Sequence, residues 1–218
     1  MLGRMCVLIA GRVWKRSIDP VFVGDSITEH WYLPEIANPT LAELLPGSID
    51  AGVPGQTSWQ MVNRISSVLA GYPSVVVIEA GTNDLVQIGV YNETHTPLHA
   101  PASISYIEDM ANQAAGVDAD QPAGAGAYRV AGAGPRVLIA SVVETSMPQY
   151  NVSAADIARF NDALRQFCQT AGYTYVDYQH ALQLPDGTQD PADFAADGIH
   201  PNDTGYGAMW PVLQAALQ

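Results

Sequence analysis

Five short apolar runs, spaced by helical patterns, constrain this chain more than any other feature. They are residues 20–24 (PVFVG), 48–52 (SIDAG), 74–80 (SVVVIEA), 136–142 (RVLIASV) and 173–177 (YTYVD). The β-branched content of the third and fourth suits strands covered on both faces, as in a parallel sheet. Helical patterns lie between them. Residues 57–69 place Met61, Ile65, Val68 and Leu69 on one side. Residues 103–115 and 153–171 also read as helices, with Ser153 as N-cap and Asp156 as its capping-box partner. A last helix follows Thr204 and runs through Trp210, where Pro211 restricts its start or bends it. Strand alternating with helix predicts an α/β domain with right-handed crossovers. We expect one domain over residues 18–218, preceded by a poorly ordered extension over residues 1–17.

Ligand sites in such sheets lie beyond the carboxyl ends of the strands, near a switch point in strand order. Ser26 follows the first strand, Gly52 closes the second and Asn83 follows the third, so all three belong to one rim. Two long segments interrupt the alternation. Residues 86–101 (VQIGVYNETHTPLHAP) read as an irregular loop that could wall or cover that rim. Residues 117–135, rich in Ala and Gly, read as a surface insertion at the other end of the sheet.

Composition narrows the function. The 218 residues are 48% hydrophobic and 14% charged, which excludes an intrinsically disordered chain. Nine basic residues against 22 acidic ones give a net charge of -13, which repels polyanions and argues against a nucleic-acid partner. Arg4, Arg12, Lys15 and Arg16 hold four of those nine charges, so the remainder is more acidic still. No stretch approaches the ~20 apolar residues of a membrane span. Cys6 and Cys168 form neither a disulfide framework nor a metal cluster, and Cys168 reads as a packed thiol. Compartment and oligomeric state are not legible.

Four segments carry chemistry. GDSIT, with Ser26, follows the first strand; a serine there is exposed near the positive end of a helix, where a base could activate it. Alone, the motif is equally a serine N-cap after a glycine turn. DGIHPN places Asp197 three residues before His200, close enough to fix the imidazole tautomer and leave its far nitrogen as a base. Alone, it is equally a polar turn before the last helix. GTND and DAGVPGQT supply donors. The Ser26 amide, the Gly52 amide and the Asn83 side chain could stabilise a carbonyl oxyanion, although Gly52 by itself is more simply a turn glycine.

In this order and together, GDSIT, DAGVPGQT, GTND and DGIHPN resemble the blocks of the SGNH hydrolases, the GDSL-type esterases and lipases. The resemblance covers Val21 to about Met209, with Ile27 in place of the motif's leucine and a long segment after Asp84. It implies a three-layer, flavodoxin-like α/β sandwich with a five-stranded parallel sheet. It implies Ser26 as nucleophile, His200 as general base and acid, Asp197 as its orienter, and Ser26, Gly52 and Asn83 as the oxyanion hole. The expected activity is hydrolysis of carboxylic esters with short acyl or acetyl groups, on a small-molecule or carbohydrate substrate, without cofactor or metal. A carbohydrate O-acetyl esterase and an acyltransferase are alternatives on the same residues; a non-catalytic binding protein is disfavoured because the triad is intact. The G-x-S-x-G elbow of ordinary α/β-hydrolases is absent, since Thr28 stands where its last glycine would be.

Other candidates carry less weight. His30 is expected to point around its helix, away from the base. His95 and His99 could line a binding wall, His180 is expected at the surface, and Asp84 is expected to secure its turn. Trp31, Tyr91, Met147 and Tyr150 could shape an acyl pocket or simply pack. The three or four ligands that a zinc site needs are not arranged anywhere in the sequence.

Overall fold

The computed structural model describes residues 6–9, 12–15, 19–91, 101–116 and 134–218, with the backbone alone for 6–9, 12–15 and 89–91. The first two segments, β1 (Cys6–Ile9) and β2 (Arg12–Lys15), pair as an antiparallel hairpin separate from the main sheet. The sequence gives no sign of this pairing in the expected N-terminal extension.

The main sheet contains β3 (Val21–Gly24), β4 (Ile49–Gly52), β5 (Val75–Glu79), β6 (Arg136–Ala140) and β7 (Thr174–Val176). Every neighbouring pair is parallel and the order is β4-β3-β5-β6-β7. The chain therefore leaves β3 in one direction to β4 and returns to pair β5 on its other side. That reversal is the switch point, and its crevice opens at the carboxyl ends of β3, β4 and β5.

Strand alternation sends side chains to two apolar layers. Val21, Val23, Val76 and Ile78 face one cluster with Met61, Ile65, Ile107, Met110, Ile157 and Leu164. Phe22, Val77, Leu138 and Val176 face the other, with Trp31, Leu41, Tyr178, Met209 and Leu213. The first cluster is covered by α3 (Ser58–Val62), α4 (Ile65–Leu69), α6 (Pro101–Ala115) and α7 (Ala154–Ala171). The second is covered by α1 (Ser26–His30), α2 (Leu41–Leu44), α8 (Tyr178–Ala181) and α9 (Asp203–Leu217). This is the expected three-layer sandwich.

Local chemistry sets the helix ends. At the start of α7, Ser153 Oγ accepts from the Asp156 amide at 3.3 Å and Asp156 Oδ2 accepts from the Ser153 amide at 2.9 Å, completing the expected capping box. The helix expected over residues 57–69 is two, α3 and α4, broken at Arg64. That residue turns back to the sheet edge and donates to the carbonyls of Gly24 and Ala51. Residues 86–91 are also not irregular, because α5 runs Thr82–Tyr91. Leu85 is buried, and Val86 and Ile88 pack beside it against the core, enough to carry the helix past the Asn83 turn. Pro211 lies inside α9 without ending it. Most of the insertion expected over residues 117–135 lies outside the described residues, as does the middle of the long loop.

Several acids are buried where the strands end. Glu144, in the segment after β6, is fully buried, and burial pushes its carboxyl from 4.5 up to about 8. The folded protein thus keeps a proton that the unfolded chain releases, so stability falls as pH rises through that window. The thermal midpoint should drop between about pH 5 and pH 8, and Glu144→Gln should flatten that slope in a melting series across pH.

Candidate active site

Ser26 opens α1 directly beyond β3. Asp25 caps the helix, its Oδ1 accepting from the Ile27 amide at 2.9 Å. The Ser26 amide makes no hydrogen bond to any described residue.

His200 arrives from the far end of the chain, 174 positions away, and its Nε2 lies 2.8 Å from Ser26 Oγ. Its Nδ1 lies 2.7 Å from Asp197 Oδ2. Asp197 Oδ1 accepts from the amides of Ile199 and His200 at 2.9 and 3.1 Å, made possible by the tight turn at Gly198. Partial burial opposes ionisation of Asp197, but the bonds from the imidazole and the two amides outweigh it and hold the carboxyl below its ordinary range. An ionised Asp197 places the ring hydrogen on Nδ1 and leaves Nε2 as an acceptor for the serine hydroxyl. The loop is tied from outside: Gln189 Nε2 donates to the Gly198 carbonyl at 2.9 Å, and the Ala195 amide donates to the His200 carbonyl at 2.8 Å. Such a chain of groups can move a proton from a hydroxyl to an imidazole and back.

The expected donors fare differently. Asn83, second residue of α5, points its Nδ2 at Asp25 Oδ2 (2.8 Å) and at the Gln56 carbonyl (3.1 Å). Both partners are acceptors, which fixes the amide orientation. Gly52 does not offer its N–H to the rim, because that amide donates to Asp50 Oδ1 at 2.7 Å. A Cβ at Gly52 would sit 2.5 Å from the Glu29 nitrogen and 2.8 Å from the Asp25 carbonyl oxygen. Glycine is required there because the backbone of α1 crosses β4 at close range, a packing reason rather than a chemical one. Three residues on, Gly55 has φ +76°, is open around its α-carbon and makes no amide hydrogen bond to a described residue. It precedes Gln56, whose carbonyl holds Asn83.

The sequence reading missed Arg64. Besides the carbonyls of Gly24 (3.2 Å) and Ala51 (2.7 Å), it donates through Nε to Gln56 Oε1 at 2.7 Å, tying the Gly55–Gln56 loop to the ends of β3 and β4. A cation in the middle of an apolar helical pattern was the available signal. His30 also departs from expectation: its ring lies 4.7 Å from that of His200, tilted by 38°. Burial, reinforced by the neighbouring His200, lowers its pKa. Asp84 joins α5 to the start of α3, accepting from the Ser58 amide at 2.8 Å and from Ser58 Oγ at 2.5 Å. Trp31 and Met147 are core residues, 3% and 0% exposed. Tyr150 is half-buried beside the core, His180 is exposed, and Cys168 is a buried free thiol. His95 and His99, and the side chain of Tyr91, lie outside the described residues. Among the described residues no group of three or more His, Cys, Asp or Glu could hold a metal, and no helix is long and apolar enough to cross a membrane.

Known proteins resemble this chain in sequence and fold. An acetylxylan esterase from Xylanibacter ruminicola is 29% identical over 157 residues, 69% of this chain; the chain spans only 30% of that protein's length. Among solved structures, a protein provisionally named an acylhydrolase from Bacteroides fragilis superposes with TM-score 0.70 at 26% identity, over 92% of this chain and 86% of its own. A GDSL-like lipase from Bacteroides thetaiotaomicron shares the fold with TM-score 0.69 at 23% identity, over 92% and 87% of the two chains. The sequence profile of the GDSL-like Lipase/Acylhydrolase family matches residues 22–208, and the chain belongs to that family of carboxylic ester hydrolases.

Proposed function

We propose that the protein hydrolyses carboxylic esters through an acyl-enzyme on Ser26. The observation that carries this reading is the unbroken chain from Ser26 Oγ through His200 to Asp197, with spacings of 2.8 and 2.7 Å. Ser26 Oγ attacks the ester carbonyl carbon while His200 Nε2 takes its proton. The tetrahedral centre collapses, the bond to the alcohol oxygen breaks, and the alcohol leaves with the proton from Nε2. Water then attacks the acyl carbonyl and gives a proton to Nε2, and the acid departs as Ser26 Oγ recovers that proton. Asp197 remains ionised throughout, steadying the imidazolium in each step.

The oxyanion would be met by the Ser26 amide, the Gly55 amide and Asn83 Nδ2. Gly55 replaces Gly52 in this role because the Gly52 amide is already committed to Asp50. Asn83 keeps one hydrogen on Asp25 and turns the other, now on the longer bond to Gln56, toward the substrate oxygen.

Fluorophosphonate should label the wild type, and Ser26→Ala should fold normally but take no label; labelling of that variant would remove Ser26 from the mechanism. Asn83→Ala should lower kcat by about 10²–10³ in steady-state kinetics on p-nitrophenyl acetate, whereas an effect on KM alone would assign it to substrate binding.

Acetyl groups on a carbohydrate are the favoured substrate class. The relative named as an acetylxylan esterase supports this, as does Trp59, 56% exposed at the start of α3 and three residues beyond Gln56. A flat exposed indole can stack on the C–H face of a sugar ring. Trp59→Ala should therefore raise KM several-fold, about 3–10, for acetylated xylo-oligosaccharide while leaving p-nitrophenyl acetate unaffected. Equal effects on both substrates would exclude a sugar-specific role.

A further inference from the structure

Behind the serine, on the side away from the rim, lies a group of buried polar atoms that the steps above do not use. Asp25 is 0% exposed and Glu79, the last residue of β5, is 4% exposed. Their carboxyl groups stand within reach to hydrogen-bond each other, an interaction that lowers the Asp25 pKa and raises that of Glu79. Two carboxyl groups can do so only if one holds a proton. Both Asp25 oxygens already accept from nitrogen donors, Ile27 N and Asn83 Nδ2, so Asp25 is the acceptor and Glu79 the acid. Thr28 Oγ1 donates to Glu79 Oε2 at 3.3 Å, while Glu79 Oε1 has no N–H or O–H donor among the described residues.

Beyond Glu79 is a cavity of about 10 Å³, the size for one water, lined by Glu79, Thr28, Trp31 and Tyr178 among apolar neighbours. Trp31 Nε1 and Tyr178 Oη are buried without hydrogen-bond partners among the described residues. One water could accept from the indole, bond the phenol and donate to the Glu79 carboxyl, satisfying three buried groups at once.

We propose that Glu79 is a positioning residue for Asn83: it holds the proton of a buried Glu79–Asp25 pair and, anchored from behind by a water in the cavity, keeps Asp25 oriented on the Asn83 amide. Asp25 in turn fixes which Asn83 hydrogen stays behind and which meets the substrate. The inference rests on the ester-hydrolase reading above. Burial, the Asp25 charge and the Glu144 charge all raise the Glu79 pKa well above its ordinary value, and burial brings Asp25 itself to about 6. The other titratable groups facing the pair are Tyr178 on α8, Tyr206 on α9 and His200. Neither phenol carries a positive charge, and His200 acts on Asp25 from the rim, so no cation offsets ionisation of Glu79. When Glu79 loses its proton, two carboxylates face each other in an apolar interior, and Asp25 is pushed off Asn83.

The test compares the full-length wild type with Glu79→Gln and Glu79→Leu. Glutamine keeps a hydrogen for Asp25 and leucine does not. Glu79→Leu should lower kcat on p-nitrophenyl acetate by about tenfold or more with KM little changed, and Glu79→Gln should restore kcat to within about threefold of wild type. The wild-type kcat should decline on the alkaline side as Glu79 ionises, and Glu79→Gln should lack that decline. Infrared spectra at neutral pH, recorded without substrate, should show carboxylic-acid carbonyl absorption from both Glu79 and Glu144, and Glu79→Gln should lose the Glu79 component while keeping that of Glu144. Wild-type kcat and pH profile in Glu79→Leu would overturn the proposal. Should that variant not fold, an unchanged alkaline decline or an unchanged infrared band in Glu79→Gln would overturn it equally. A wild type that neither hydrolyses esters nor takes fluorophosphonate would sink the hydrolase reading, while the infrared band still decides whether Glu79 holds the proton.

Discussion

The bond between Ser26 and His200 closes the molecule on itself. It joins residues 174 positions apart over 2.8 Å, and neither side chain could hold that position alone. Ser26 is fixed by the end of β3 and the Asp25 cap. His200 is fixed by a loop whose every turn is bonded, to Asp197 within and to Gln189 outside. The α9 helix then packs Met209 and Leu213 under the same sheet that carries Ser26, so the two ends of the chain meet through the apolar layer as well as through the imidazole. Burial of that layer supplies the energy that orders a polar contact worth only about 1 kcal/mol by itself.

Electrostatically the site has two sides. Toward solvent, Asp197 is held ionised by donors and so can support a positive charge on His200. Toward the interior, Asp25, Glu79 and Glu144 lie in a region where burial raises every carboxyl pKa. Asp25 adjoins Ser26 in the chain and Asp197 reaches it through His200, and their environments set the two carboxyl groups apart. The interior group is costly to bury. Its members are shared among Thr28, Thr82, Asn83 and the Ile27 amide, so most of that cost is met by hydrogen bonds at the ends of the strands.

The loop after β4 shows how packing and chemistry divide a short motif. Gly52 lets α1 lie close over the strand, and Gly55 makes the turn that brings Gln56 against Asn83. Arg64 binds this loop to the ends of two strands, and the helix breaks at Arg64 so that its side chain can reach the sheet edge. A positive charge half-buried beside backbone carbonyls substitutes for the ladder hydrogen bonds that end there.

The sequence by itself determined the layered α/β architecture, because the run of apolar residues in each strand admits only a sheet covered on both faces. It also placed Ser26, Gly52 and Asn83 on one rim, since each ends or follows a strand, while Asp197 and His200 joined them only through the resemblance carried by the four motifs together. What only the tertiary structure decided depends on direction and on distance across the fold. Gly52 and Gly55 read alike as letters, and only the crossing of α1 over β4 shows which amide is spoken for. His30 stacks on His200, and Arg64 breaks a helix, because of partners far away in sequence that no local spacing encodes. The buried acids behind Ser26 likewise look ordinary in the sequence; their raised pKa values follow from burial, a property of the packed molecule and not of the chain.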